Sequence, residues 1–380
     1  MIARGSKTGQ AMGLSPFETA AALIAGGQWP LGWPHFEGRH SIPVQSARTA
    51  IGFVREAAGL REGDEILISA YNCGTEVDAL LAAGLKLRFV DCNEHGFVSL
   101  DILRASISPQ TKGVYIIHPF GWPHPLAQID RWRREQGLIL IEDCALALFS
   151  GNADGSAVGT VGEVSVFSLT KSLPTPDGGI LSWATGWTGP KELSAPPLGR
   201  TLHQLAVRTK AWMHHFMSRP ALQAPAPQRV ETLPAAVMED MPQSYYFEAW
   251  REKRAPSMIT RGYIERVIPA DIKLQRQRNY RALASALNAR NLAPLFADLP
   301  DHVCPLSCPI RTNRRDSMVA SLKEYGIETS PWWSGGHRDV DWPRFPMACE
   351  LKQTLLPLPV HQQLNAEDMA RIADIAASLA

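Results

Sequence analysis

Short apolar runs alternate with helical patterns through the first half of the chain. Each run spans four to six residues, the length of a buried strand, and amphipathic stretches such as 75–83 and 126–136 occupy the intervals. Strands that alternate with helices are joined by right-handed crossovers, so they form a mostly parallel sheet. The predicted strands are residues 65–69, 86–90, 113–118, 138–141, 164–168 and 180–183.

The last third of the chain has a different pattern, which predicts a smaller α/β layer. A long helix with a charged outer face begins this layer, and Asn365 supplies the N-cap of its final helix. The predicted elements are helices at 271–289, 315–325 and 366–379, with short strands at 307–311 and 327–330.

We therefore predict an α/β fold in two domains. An N-terminal arm, with a helix at 16–25, and a large domain occupy residues 1–268, and a small C-terminal α/β domain occupies residues 269–380. Within the large domain, prolines break up the segment 186–256. Its best helical pattern, 198–217, is basic and aromatic, which is typical of a solvated face or a lid and, less often, of membrane contact.

Composition and charge argue against several classes of protein. The 380 residues are 45% apolar and 20% charged with a net charge of +1, so no overall field would hold nucleic acid or an anionic membrane. The six cysteines are scattered and predict no disulfide framework; Cys304 and Cys308 lack histidines at a zinc-site spacing, so no metal is expected. The first residues do not resemble a secretory signal and no stretch has the length of a membrane span, so a cytoplasmic protein is expected.

Lys171 stands just beyond the predicted strand 164–168 and precedes a proline-rich turn with the pair Gly178 and Gly179. We expect it to lie in a loop on a rigid base. One interpretation is a surface lysine whose stem lies along the sheet edge. The other is a desolvated amine that condenses with an aldehyde cofactor.

Asp143 distinguishes between these interpretations. It follows the apolar run 138–141, and open α/β sheets bind ligands at the carboxyl ends of their strands. An isolated acid at that edge is commonly a helix N-cap. An acid paired with a lysine is what a pyridoxal phosphate enzyme requires, because the carboxylate keeps the pyridine nitrogen protonated. The pairing of Asp143 with Lys171 therefore favours that chemistry.

Seven short motifs, taken in order, make the chain resemble the DegT/DnrJ/EryC1/StrS family of sugar aminotransferases. The resemblance runs from about residue 43 to the C-terminus and is weaker across 187–256. It implies the fold-type I architecture of pyridoxal phosphate-dependent transferases, in which helices sandwich a mostly parallel, seven-stranded sheet. The motifs are REGDEILI at 61–68, AGLKLRFVD at 83–91, TKGVYIIHPFG at 111–121, EDCA at 142–145, FSLTK at 167–171, DGG at 177–179 and PLPVH at 357–361.

The resemblance also implies which residues hold the cofactor, pyridoxal 5′-phosphate. Lys171 binds its aldehyde, Asp143 pairs with its ring nitrogen, and Ser168 contacts its phosphate. The helix N-terminus at Ala47 and Arg48 would hold the phosphate as well, because backbone amides there suit an anion. Arg48 stands where the family usually has a hydroxyl residue, and its guanidinium could replace that contact.

Three positions depart from the family pattern. Cys73 stands where the family has an aromatic residue over the cofactor ring, a loss for which Tyr71 could compensate. Leu146 replaces a hydrogen-bonding residue, and Ile264 replaces an asparagine that reaches the neighbouring subunit's cofactor phosphate. The departures leave Lys171 and Asp143 and remove secondary contacts, which favours a divergent active enzyme over a cofactor-binding protein without turnover.

The function implied by the resemblance is transamination. An amino group passes from an amino acid, with glutamate as the expected donor, to a keto sugar that is commonly nucleotide-linked, in polysaccharide or secondary-metabolite biosynthesis. Two alternatives stay open: a pyridoxal phosphate enzyme for a free amino acid or a non-sugar ketone, and a non-catalytic member. The resemblance further implies small-molecule substrates, no nucleic-acid or membrane partner, and a homodimer with a shared active site.

Overall fold

The computed structural model describes most of the chain from residue 36 onwards. The helix predicted at 16–25, and almost all of the one at 198–217, lie outside the described residues. Within the part that is described, no helix combines the length and the apolar character needed to cross a bilayer. The described residues are 36–190, 193–194, 199, 202, 206, 240–241, 243, 246–247, 254–333 and 335–380.

A seven-stranded sheet forms the centre of the fold, as predicted. Its strands are β1 (Arg39–Val44), β2 (Glu65–Ser69), β3 (Lys86–Val90), β4 (Thr111–Ile117), β5 (Ile139–Asp143), β6 (Val164–Ser168) and β7 (Gly179–Ala184). Their order across the sheet is β1-β7-β6-β5-β4-β2-β3. Only β7 runs antiparallel to its neighbours, so the sheet is mostly parallel.

The structure contains every predicted strand of this sheet and adds β1 at one edge. Its sequence, RHSIPV, is polar and contains a proline, so the pattern alone does not identify it as a strand. At an edge one side of the strand needs no hydrogen-bonding partner, and Pro43 is therefore tolerated. Pairing of Val44 with Gly179 brings the chain that follows β1 to the start of β7.

The helices largely agree with the prediction, and the helical segment that begins at Ala47 is divided at Phe53. Gly52 precedes this break, and glycine is a poor helix former. Among the described residues the α-helices are α1 (Ala47–Gly52), α2 (Val54–Ala57), α3 (Thr75–Ala82), α4 (Leu100–Ser106), α5 (Ala127–Glu135), α6 (Leu169–Ser172), α7 (Met258–Ile264), α8 (Pro269–Asn288), α9 (Arg315–Glu324), α10 (Pro346–Thr354) and α11 (Ala366–Leu379).

Alternate side chains of the strands pack on the two faces of the sheet. In β4, Tyr115 joins the core formed with α1 and α3, whereas Val114 and Ile116 join the core formed with α4 and α5. Helices on both faces bury the strands on both sides, which is the arrangement that continuous apolar runs require. The carboxyl ends of the parallel strands are left as the open edge of the sheet.

A small antiparallel sheet lies in the C-terminal part, formed by β8 (Ser307–Arg311) and β9 (Leu355–Pro359). The strand predicted at 327–330 is wrong, because that segment is irregular and β9 is the partner of β8. The sequence of β9, LLPLP, contains two prolines that argue against a strand. In a sheet of two strands both are edge strands, so these prolines are accommodated.

The small layer shares its hydrophobic core with the large sheet. Tyr280 of α8 and Leu358 of β9 belong to the same buried cluster as Tyr71 and Phe120, which follow β2 and β4. The domain boundary expected at residue 269 coincides with the first residue of α8 and stays a prediction. The shared core brings the loops of the small layer to the carboxyl edge of the large sheet.

Candidate active site

A cavity of about 190 Å³ opens at the carboxyl edge of the sheet. The segments that follow β1, β2, β5 and β6 supply most of its walls, and a loop of the small layer completes it. Six of the seven residues predicted for the cofactor line this cavity, and Tyr71 does not. The lining includes Ser46, Ala47, Arg48, Cys73, Glu76, Asp143, Leu146, Ser168, Thr170, Lys171 and Trp333.

Lys171 lies in α6, a single helical turn that follows β6 directly, so the expectation of a loop residue is wrong. The turn is fixed by two backbone bonds, from the Leu169 amide to the Gly178 carbonyl (3.1 Å) and from the Leu173 amide to the Leu169 carbonyl (2.8 Å). The side chain is half-buried and makes no hydrogen bond with any described residue. A rigid support therefore presents an amine that is available to a ligand.

Asp143 is the last residue of β5 and is 5% exposed. Its Oδ2 accepts a hydrogen bond from the Tyr115 hydroxyl (2.7 Å), and its Oδ1 accepts one from the Ala145 amide (2.9 Å). Burial raises the pKa of this carboxyl and the nearby Glu76 raises it further, whereas Tyr115 and Lys171 act in the opposite direction. Two donors thus orient an acid whose negative charge is incompletely compensated.

Glu76 is a second buried carboxyl group at the cavity, which the sequence interpretation missed. It lies in the first turn of α3 and is 2% exposed. Its Oε1 accepts a hydrogen bond from the Cys73 amide (3.0 Å), and its Oε2 accepts one from the Cys73 thiol (2.6 Å). Burial and Glu76 raise the pKa of Cys73 to about 12, which keeps the side chain a neutral thiol. The sequence contains a signal for this contact, because an acid in the first turn of a helix commonly accepts hydrogen bonds from the residues just before the helix.

The start of α1 forms a polar end of the cavity. Ser46 caps this helix by accepting a hydrogen bond from the Thr49 amide (3.1 Å). A Cβ atom at Gly179 would collide with the backbone nitrogen of Ala47, so glycine is needed for α1 to approach β7 this closely. The pair Gly179 and Ala47 therefore shapes the surface that faces the cavity.

Further polar groups line the same cavity. Arg48 donates a hydrogen bond to the backbone carbonyl of Tyr246 (3.2 Å), which ties it to a described part of the segment 186–256. Ser168 is 4% exposed, and its hydroxyl lies 3.3 Å from that of Thr170. Hydroxyl groups and a guanidinium suit an anionic group, and the roles of Arg48 and Ser168 stay predictions.

Tyr71 lies outside the cavity, in the hydrophobic core, and is 1% exposed. Its ring centroid is 4.9 Å from that of Trp333 and 6.4 Å from that of Phe120. Trp333, which sequence reasoning missed, is the aromatic residue that lines the cavity. The expected compensation for Cys73 by Tyr71 does not match this geometry, because apolar neighbours draw the Tyr71 ring into the core.

Leu146 and Ile264, the other two residues that depart from the family pattern, lie in different surroundings. Leu146 lines the cavity and offers it an apolar surface without a hydrogen-bonding group. Ile264 is 1% exposed and belongs to a buried cluster with Phe36 and Phe167. Its side chain therefore packs in the core of its own chain. The contact that the resemblance assigns to an asparagine here, with the neighbouring subunit's cofactor phosphate, has no counterpart at this position.

Next to Asp143, the group His118, Glu142 and Cys144 has ligand atoms that lie within 4.8 Å of one another. Glu142 already accepts hydrogen bonds from three backbone amides and lies 3.1 Å from His118 Nε2. These contacts satisfy its carboxylate without a metal ion, so the group is part of the scaffold below Asp143. The three amides are those of Gly159, Val161 and Gly162.

The fold is that of solved aminotransferase structures. Helicobacter pylori PseC, an aminotransferase involved in the biosynthesis of pseudaminic acid, has a TM-score of 0.69 at 15% identity and covers 98% of this chain and 99% of its own. The PMP form of the sugar aminotransferase Spr1654 from Streptococcus pneumoniae has a TM-score of 0.69 at 13% identity, with coverage of 99% and 98%.

Sequence comparison finds similar proteins as well. The model of the DegT/DnrJ/EryC1/StrS aminotransferase family matches residues 34–185 of the chain. GDP-perosamine synthase of Escherichia coli O157:H7 is 31% identical over 146 residues, which are 38% of this chain and 40% of that relative. A UDP-N-acetyl-3-dehydro-alpha-D-glucosamine 3-aminotransferase of Acidithiobacillus ferrooxidans is 24% identical over 348 residues, or 88% and 83% of the two chains. The first relatives are thus matched over about 40% of their length or less.

Replacement of Glu76 by glutamine should make the Cys73 thiol more reactive. The neutral amide removes one of the two causes that raise the pKa of Cys73, so a larger fraction of thiolate is expected at any pH below 12. Alkylation of Cys73 by a maleimide, followed between pH 7 and 10 by peptide mass spectrometry, measures this change; each unit of pKa corresponds to about tenfold in rate. Glu56→Gln, at an exposed position of α2, is the matched control. Equal rates in Glu76→Gln and wild type would contradict the assigned contact.

Proposed function

We propose that the protein is a pyridoxal phosphate-dependent aminotransferase that transfers an amino group from an amino acid to a keto sugar. The observation that carries this proposal is that Lys171 and Asp143 face one cavity at the carboxyl edge of the sheet. The match to the aminotransferase family model supports this reaction, since the matched segment 34–185 contains both residues. A lysine and a buried carboxylate in one cavity are the two groups that this chemistry requires.

The residues at the cavity fit the cofactor. The Lys171 amine has no hydrogen-bonding partner among the described residues, and the buried Asp143 carboxylate lacks full charge compensation. Lys171 would hold the aldehyde carbon and Asp143 the pyridine nitrogen, while Ser168, Arg48 and the amide of Ala47 would hold the phosphate. When bound, the cofactor supplies an aldehyde that exchanges amino groups and a ring that withdraws electrons.

The chain's own groups would move and hold protons during the reaction. Lys171 Nζ would take the proton from the α-carbon of the amino-acid donor and, in the second half of the reaction, give a proton to the sugar carbon that receives the amino group. Asp143, oriented by the Tyr115 hydroxyl and the Ala145 amide, would keep the ring nitrogen protonated. Leu146 and Trp333 would exclude water from the faces of the cavity.

A nucleotide-linked keto sugar is the substrate that the relatives favour. Their printed names include a GDP-perosamine synthase, a UDP-linked 3-aminotransferase and a dTDP-linked 4-aminotransferase. Glutamate is the proposed donor. The homodimer with a shared site and the cytoplasmic location stay predictions from the sequence resemblance. The alternatives are a free amino acid or non-sugar ketone as substrate, and a member without turnover.

Replacement of Lys171 by alanine tests the proposed function. Wild-type protein mixed with pyridoxal phosphate should gain a visible absorbance band, and glutamate should deplete that band. Lys171→Ala should lack the band and lose turnover of nucleotide-linked keto sugars by at least about 1,000-fold, because no other amine replaces the lysine. Lys112→Ala, at an exposed position of β4, is the control. A band of equal intensity in Lys171→Ala would refute the proposal, and a wild-type band that glutamate leaves unchanged would favour a member without turnover.

Replacement of Asp143 by asparagine should separate stability from cofactor binding. The raised pKa of Asp143 means that the folded chain holds this proton more tightly than the unfolded chain. The resulting contribution to stability is present at acid pH and is lost as the pH rises through the raised pKa. We therefore expect cofactor-free Asp143→Asn to be at least as stable as wild type at pH 8, with a smaller advantage at pH 5. Its affinity for pyridoxal phosphate should fall at least about tenfold.

Urea unfolding at both pH values and titration of cofactor absorbance measure the two properties. A variant that is less stable than wild type at pH 8 yet binds the cofactor normally would contradict the role given to Asp143.

A further inference from the structure

Lys352 of α10 is 1% exposed although its side chain is ionisable. Its Nζ donates hydrogen bonds to three backbone carbonyls, those of Asn72 (2.6 Å), Trp333 (2.8 Å) and Gly335 (2.8 Å). The same atom lies 4.9 Å from the ring centroid of Trp342. An ammonium group has three donors, so these three bonds use its full capacity.

The three bonds account for a charge in this position. A buried ammonium is unfavourable unless carbonyls or acids compensate for the lost water. Burial lowers the pKa of Lys352 to about 8; Cys73, Glu76 and Cys349 oppose this shift and Arg315 adds to it. Since a pKa of about 8 lies above neutral pH, the side chain keeps its proton and all three donors at pH 7.

Two of the three carbonyls lie in or next to segments that line the cavity. Asn72 directly precedes Cys73, and its own side chain stiffens this loop by donating to the Ser69 carbonyl (2.8 Å) and accepting from the Gly74 amide (2.9 Å). Trp333 lines the cavity from the small layer and has a φ of 54°, a region that disfavours bulky residues. One cation thus joins a stiff loop of the large sheet to a strained residue of the small layer.

We propose that Lys352 is a positioning residue that sets the separation between the Cys73 wall and the Trp333 wall of the active site. It is not among the residues that line the cavity, so it acts through the two loops. Cys73 offers a thiol in place of an aromatic ring, and the fixed position of Trp333 supplies an aromatic surface instead. That this aromatic surface would face the pyridine ring of the cofactor rests on the proposed function. The role of Lys352 in holding the two loops together does not depend on it.

The variant Lys352→Met tests this role, because methionine fills a similar volume without donors or charge. Lys273→Met is the matched control: Lys273 is partly buried and its Nζ donates to a carbonyl, that of His302 (3.1 Å), but it is not among the cavity residues. The measurements are the Kd for pyridoxal phosphate, the rate of Cys73 alkylation by a maleimide without cofactor, and the urea midpoint. For Lys352→Met we expect a Kd for pyridoxal phosphate that increases at least about tenfold and a rate of Cys73 alkylation that changes by a similar factor, with no comparable change in the control.

Unchanged Kd and unchanged Cys73 alkylation in folded Lys352→Met would overturn the proposal. If that variant does not fold, Lys352→Gln, which keeps two donors, is measured in its place and should give smaller shifts in the same directions. Failure of both variants to fold would assign Lys352 to the stability of the fold and would also overturn the proposal. If wild-type protein binds no pyridoxal phosphate, the proposed function fails. Cys73 alkylation alone then decides whether Lys352 holds the two loops together.

Discussion

Two buried carboxyl groups at the carboxyl edge of the sheet are the central feature of this structure. Asp143 and Glu76 are both buried at one cavity, and burial together with their mutual repulsion raises the pKa of Asp143. Lys171 and the Tyr115 hydroxyl offset this only in part. A protonated pyridine ring would place a positive charge beside Asp143, which is the contact that the proposed cofactor would make.

Rigid elements hold this unfavourable arrangement in place. Asp143 ends β5, a strand paired on both sides, and Lys171 lies in a helical turn fixed to the start of β7. Glu76 is anchored by the amide and the thiol of Cys73. The small layer contributes Trp333, whose position depends on the buried ammonium of Lys352. The buried carboxyl groups at this edge of the sheet therefore lower the stability of the fold, and the surrounding hydrophobic core offsets that loss.

Sequence patterns predicted the large sheet and the two chemical groups at its edge because both depend on local signals. Apolar runs identify the strands, and an acid or a lysine directly after a run identifies a ligand-binding edge. The edge strand β1 and the proline-containing β9 were missed, because each lacks the apolar alternation of a strand. The strand expected at 327–330 is absent, because that segment is irregular and β9 is the strand that pairs with β8.

The remaining site residues were not predictable, because tertiary contacts decide their roles. Trp333 and Lys352 lie more than 150 residues beyond Lys171 in the sequence, and only the shared core brings their loops to the cavity. Tyr71, by contrast, was assigned to the cofactor from its closeness to Cys73 in the sequence. Its ring packs into the core beside Trp333 instead. Adjacency along the chain is thus a weak guide to which side chain faces a ligand.

Chemical trapping of the cofactor tests the account most directly. Wild-type protein is incubated with pyridoxal phosphate, reduced with borohydride and mapped by peptide mass spectrometry. The account predicts one pyridoxyl adduct, on the peptide that contains Lys171, with Lys352 unmodified because its three donors are engaged in a buried site. An adduct on another lysine, or adducts spread over exposed lysines with none on Lys171, would contradict it.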